Sequence, residues 1–189
     1  MSEQKSFLCE ADNSCLLLID IQGKLSAAIP DKVINRLRSN VETLLAAANK
    51  LNVPVMATAQ YPRGLGPIED FITARLNDQA LTYDKTCFSC MGAQGLADDL
   101  ASSGRKQVIV TGIEAHICVL QTAFELKKAG LEVFVVNDAI ASRKLSSYDT
   151  ALGRMTQGDI NIVTTESVLF EWLRDASHVH FRELSKLIV

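Results

Sequence analysis

The stretch that most constrains the fold is Val108 to Gly130, VIVTGIEAHICVLQTAFELKKAG. A β-branched run, Val108 to Val110, is punctuated by Thr111-Gly112, and apolar residues then recur at helical spacing at Ile117, Leu120 and Phe124. The pattern predicts a buried strand turning sharply into a helix over Ala115 to Ala129. Cys118 falls in that helix's first turn, where unpaired backbone N–H groups and the positive end of the helix dipole favour an anion. A thiol placed there is expected to ionise readily; a buried structural thiol is the alternative.

The rest of the chain alternates strand and helix signals, with no internal repeat, linker or low-complexity segment. Cys15 to Ile19 (CLLLI) is a continuous apolar run ended by Asp20, as expected for a strand buried on both faces of a parallel sheet. From Asp31 to about Leu51, residues Val33, Ile34, Leu37, Val41, Leu44, Leu45 and Ala48 trace a helix face. Val53 to Thr58 is the next expected strand, and the glycine and proline content of Gln60 to Pro67 marks a loop. A short helix over Ile68 to Leu76, a short strand at Leu81 to Tyr83 and a brief helix over Gly95 to Ser102 fill the less regular middle third. After the central helix come strands at Val133 to Val136 and Ile160 to Thr164, and helices at Ser146 to Gln157, Ser167 to Arg174 and His178 to Leu187. The expected fold is α/β, a single domain over 1–189, with a doubly wound, mostly parallel sheet and helices on both faces.

Composition bounds the function. The chain has 189 residues, 48% hydrophobic and 22% charged, ample for one core. A net charge of −3 and a pI near 5.6 give no basic footprint, which disfavours nucleic acid as a partner. No apolar run approaches the roughly 18 residues a membrane span needs, and the opening MSEQKSFLCEADNS has no signal-peptide core, so the expected location is the cytoplasm. Five cysteines, an odd number without extracellular cues, are expected to be free thiols.

In a doubly wound sheet ligands bind outside the carboxyl ends of the strands. Asp20 and Cys118 both fall at that edge, and the segment carrying Lys85 can reach it. A thiol is a weak nucleophile until a base or a positive potential favours its thiolate. Asp20 could take the proton and Lys85 could hold the charges.

The ordered set Asp20 in LLLIDIQ, Lys85 in DKTCFSCM and Cys118 in VTGIEAHICVLQTA resembles the isochorismatase-like, or cysteine hydrolase, family, over about Cys15 to Thr165. Within it the chain looks most like the small branch containing YcaC-like proteins. The resemblance implies a six-stranded Rossmann-like parallel sheet in a homo-oligomer. It also implies a catalytic Cys118-Asp20-Lys85 triad without an organic cofactor, and a cis peptide at Ile113-Glu114 that turns backbone N–H groups toward an oxyanion. Isochorismatases proper do not use a cysteine at the nucleophile position, so Cys118 favours amide cleavage: a small carbon–nitrogen substrate, opened through a thioester intermediate.

Departures from the family pattern limit the substrate. Metal-dependent nicotinamidases place an Asp-x-His and a further His between the first strand and the Lys loop, whereas the first histidine here is His116; no metal is expected. Gly23-Lys24-Leu25 follows Gln22 where many relatives carry Asn-Asp-Phe, which implies a different pocket. Candidate substrate contacts are Gln22, Tyr61, Arg63 and Phe88; for Arg63 a solvated loop charge, and for Phe88 core packing, are equal alternatives. Cys87-x-x-Cys90 has zinc or redox spacing but no second pair, and pocket lining or core is the preferred reading. His116 sits two residues before Cys118, and positions i and i+2 on a helix do not face each other, which argues against a Cys–His dyad. A binding or scaffold protein that keeps the fold without turnover is the alternative function, and a nuclease or RNA-associated protein a more distant one.

Overall fold

The computed structural model describes residues 7–188, so the outermost residues of the expected 1–189 domain, 1–6 and 189, lie outside the described residues. Six parallel strands, β1 (Ser14–Ile19), β2 (Val55–Gln60), β3 (Leu81–Lys85), β4 (Gln107–Ile113), β5 (Glu132–Ala141) and β6 (Asn161–Val163), lie in the order β3-β2-β1-β4-β5-β6. The chain builds outward from β1 to β3, crosses back, and builds outward again from β4. The switch point is therefore between β1 and β4, where such sheets bind ligands.

The helices are α1 (Gly23–Ser26), α2 (Asp31–Lys50), α3 (Pro62–Leu65), α4 (Asp70–Thr73), α5 (Leu96–Ser102), α6 (Leu120–Lys128), α7 (Leu145–Gln157), α8 (Thr165–Leu173) and α9 (Phe181–Leu184). Strand residues alternate between two cores. Leu16, Leu18, Ile109 and Phe134 pack with Leu37, Val41 and Leu44 of α2 and Leu169 and Trp172 of α8. Leu17, Ile19, Val108, Val110 and Val135 pack on the other face with Leu100 of α5, Leu126 of α6 and Met155 of α7. Burial on both faces explains why β1 reads as an unbroken apolar run. Gly112 opposes Ile19 with φ 117°, and a Cβ there would stand 2.1 Å from the Ile19 carbonyl oxygen. Only glycine lets the ends of β1 and β4 approach this closely.

Several expected boundaries move. Ala115–Val119 is a single π-type turn, and the α-helix starts only at Leu120. Strand β5 runs past Val136: the register shifts opposite Val110 and Gly112, and pairing resumes at Ile140 and Ala141. The polar Asn137-Asp138 step inside it is satisfied, because Tyr148 Oη donates to the Asn137 carbonyl and the Thr165 amide and hydroxyl donate to Asp138 Oδ1. Ile68 forms a β-bridge with Gln22, which delays the expected Ile68–Leu76 helix to the one turn of α4. The closing helix shrinks to α9 and a 3-10 turn at Ser185–Leu187, since the His180 amide donates to the His178 ring nitrogen and turns the chain first. Among the described residues no helix is long and apolar enough to cross a membrane.

Candidate active site

Asp20 is the first residue beyond β1, fully buried, with φ 52° and its amide donating to the Thr58 carbonyl of β2. Aspartate tolerates this left-handed conformation better than most residues, and it turns the side chain along the sheet edge toward β2 and β3. Thr58 Oγ1 donates to Asp20 Oδ1 at 2.7 Å, and Lys85 Nζ donates to Oδ2 at 2.7 Å. Lys85 closes β3 opposite Gln60, which settles a placement that the sequence leaves open. Its ammonium also reaches Gln60 Oε1 at 2.6 Å and the carbonyls of Cys87 and Phe88 at 3.2 and 3.0 Å. Three N–H groups facing four acceptors leave no donor for a substrate. Burial opposes the ammonium's charge, but Asp20 and the neighbouring Cys90 and Cys118 outweigh it, so the lysine pKa is held above its ordinary value.

Cys118 lies in the π turn after β4, 5% exposed and close enough to Asp20 to feel its charge. Its pKa is pushed up to about 12 by burial first and then by the Asp20 charge, with Lys85 pulling the other way. This corrects the expectation of a readily ionised thiol. Desolvation and an adjacent carboxylate outweigh the favourable potential at the start of the turn. The resting thiol is thus neutral, with the Asp20 carboxylate nearby as the candidate acceptor for its proton.

Residues that sequence spacing does not reveal complete the cluster. Cys90 Sγ is 3.5 Å from Thr58 Oγ1, and the Cys90 amide donates to Thr122 Oγ1 of α6 at 2.9 Å. Burial and then the Asp20 charge raise the Cys90 thiol to about 11.

An isochorismatase-domain model matches residues 14–167. The chain belongs to the isochorismatase-domain family. Isochorismatase domain-containing protein 2 of Danio rerio is 39% identical over 176 residues, 93% of this chain and 86% of that protein. The MAR1 ribonuclease structure from Caenorhabditis elegans superposes with a TM-score of 0.89 at 34% identity, covering 96% of this chain and 92% of its own. The YcaC gene product of Escherichia coli, described as an octameric hydrolase of unknown specificity, superposes with a TM-score of 0.86 at 23% identity, over 97% of each chain; that likeness is one of fold.

The remaining residues singled out in the sequence divide into those at this candidate site and those beside it. The Ile113-Glu114 peptide is cis, and the Glu114 carboxylate accepts from the Arg143 amide and Nε at 2.9 and 3.1 Å. Gln22 is fully buried, but its Nε2 donates to the carbonyls of Gln60 and Gly66 and its Oε1 accepts from the Gln60 amide. It braces the ends of β1 and β2 and has no N–H left for substrate. Tyr61 and Arg63 line a cleft of about 450 Å³ with Lys85, Cys87 and Gln94. The Phe88 side chain is exposed, and it is the Phe88 carbonyl that serves the site, by holding Lys85. His116 Nδ1 pairs with Ser142 Oγ at 2.9 Å. Cys87 is exposed and Cys90 buried, both as free thiols, and among the described residues no group of three or more His, Cys, Asp or Glu is placed to hold a metal.

Proposed function

We propose that the protein is a hydrolase of small amide-type carbon–nitrogen substrates that works without an organic cofactor, with Cys118 as nucleophile, Asp20 as proton carrier and Lys85 as a fixed counter-charge. The observation that carries this reading is the Asp20 carboxylate, pinned by Lys85 and Thr58 at 2.7 Å each and acting through its charge on the Cys118 thiol. Asp20 takes the thiol proton as sulfur attacks the carbonyl carbon, and delivers it to the departing nitrogen as the C–N bond breaks. Water then loses a proton to Asp20, attacks the thioester, and Cys118 leaves and regains that proton. Backbone N–H groups of the Glu114–Cys118 turn are the candidate oxyanion donors.

Because every Lys85 N–H is engaged, the lysine holds charge and geometry and does not move the proton. The small exposure of Cys118 favours small acyl groups, and Tyr61 and Arg63 at the neighbouring cleft are the candidate contacts for the substrate's far end. The wild-type protein is expected to turn over at least one member of a panel of small primary amides and ureido compounds, and Cys118→Ala none. Turnover that survives in Cys118→Ala contradicts the assignment, and the absence of any turnover by wild type favours a binding protein that retains the fold. The ribonuclease name of the C. elegans neighbour supports a second reading, for which salt-dependent RNA binding and cleavage is the test.

A further inference from the structure

Behind the three residues assigned above, a second chain of donors runs into Asp20 through Thr58 and Cys90. Thr58 has one hydroxyl hydrogen, and an ionised carboxylate accepts only, so that hydrogen belongs to Asp20 Oδ1. The 3.5 Å contact between Thr58 Oγ1 and Cys90 Sγ must then be Cys90 S–H donating to the threonine oxygen. Cys90 is held there by its amide, which donates to Thr122 one helical turn beyond Cys118. We infer that Thr58 is a positioning residue that sets how readily Asp20 takes up a proton, and that Cys90, as a neutral thiol, orients the Thr58 hydroxyl for that task.

The inference rests on the proposed function and adds to it two residues that touch neither substrate nor the attacking sulfur. With Thr58 on Oδ1 and Lys85 on Oδ2, the carboxylate is fixed in rotation. The titratable groups facing Asp20 are Lys85 from β3, Cys90 from the turn after it, and Cys118 from the turn after β4. A donor to a carboxylate stabilises its ionised form, so losing one makes protonation easier.

The test follows iodoacetamide labelling of Cys118 against pH, resolved by peptide mass so that Cys87 does not interfere. Wild type should show two limbs, an acid limb where the site loses its first proton and an alkaline limb where the thiol ionises. Thr58→Val, which keeps the shape and removes the donor, should move the acid limb upward by about one pH unit. Thr58→Ser should restore it, and Cys90→Ala should move it the same way by less. A wild-type acid limb in folded Thr58→Val, or in Cys90→Ala if the valine variant does not fold, overturns the inference. A profile shared by wild type and Asp20→Asn has a different meaning: the proposed function itself fails.

Discussion

The two ends of the strand pair β1–β4 each bury a polar network, and they differ in what lies fully buried: neutral groups at one end, an ion pair at the other. At the amino end Ser14 opposes Gln107 in register, both fully buried. Trp172 Nε1 donates to Ser14 Oγ at 3.0 Å, the Glu10 amide donates to Gln107 Oε1, and Gln107 Nε2 donates to the Leu8 carbonyl and to Glu132. At the carboxyl end, Asp20 and Lys85 form an ion pair whose side chains are both 0% exposed. At the amino end the fully buried groups, Ser14 and Gln107, are neutral, and with the half-buried Glu132 carboxylate as one partner they tie the sheet to α8 and to the preceding chain at modest cost. An ion pair taken wholly out of water costs several kcal/mol per ion before its attraction offsets any of it, so burial of this kind is weak evidence for stability. The amino end is a fastening. On the proposed function, the carboxyl end is an arrangement kept for chemistry.

Breaking the charged end should have the largest effect. Lys85→Ala strands the Asp20 carboxylate without its counter-charge and is expected to cost about 3–5 kcal/mol in urea unfolding as well as activity. In that variant the folded state favours the protonated carboxyl, so its stability deficit should shrink as pH falls toward about 4, close to the unfolded carboxyl range, and grow above it. A deficit independent of pH would mean that the lost lysine mattered only for packing. Gln107→Ala at the amino end should lose about 2–3 kcal/mol with the Cys118 labelling profile unchanged. A displaced profile would show that the two ends are coupled through β1 and β4.

The same comparison explains what could be read from the sequence. Asp20 was legible because an apolar run buried on both faces ends abruptly in a carboxylate, and Cys118 because a β-branched strand breaks at Thr111-Gly112 before a helical pattern. Lys85 was legible through its order in the family pattern and not through spacing, since 65 residues separate it from its partner. Thr58, Gln60 and Thr122 were not legible as parts of the cluster, and Cys90 was legible only as pocket lining or core. Their partners come from neighbouring strands or from the facing helix, and such meetings depend on register, which a single sequence does not display. The thiol's resistance to ionisation was missed for a related reason: a helix start is visible in sequence, but the burial of Cys118 against a carboxylate is a property of the assembled edge.

The most direct measurement is the pH profile of Cys118 alkylation in wild type and Asp20→Asn. If Asp20 carries the Cys118 proton, wild type shows an acid limb below its alkaline rise. Asp20→Asn should lose that limb and rise once, at a pH below the value of about 12 to which burial and the Asp20 charge push the thiol. Superimposable profiles would contradict the account, because the Asp20 carboxylate would then play no part in the ionisation of Cys118.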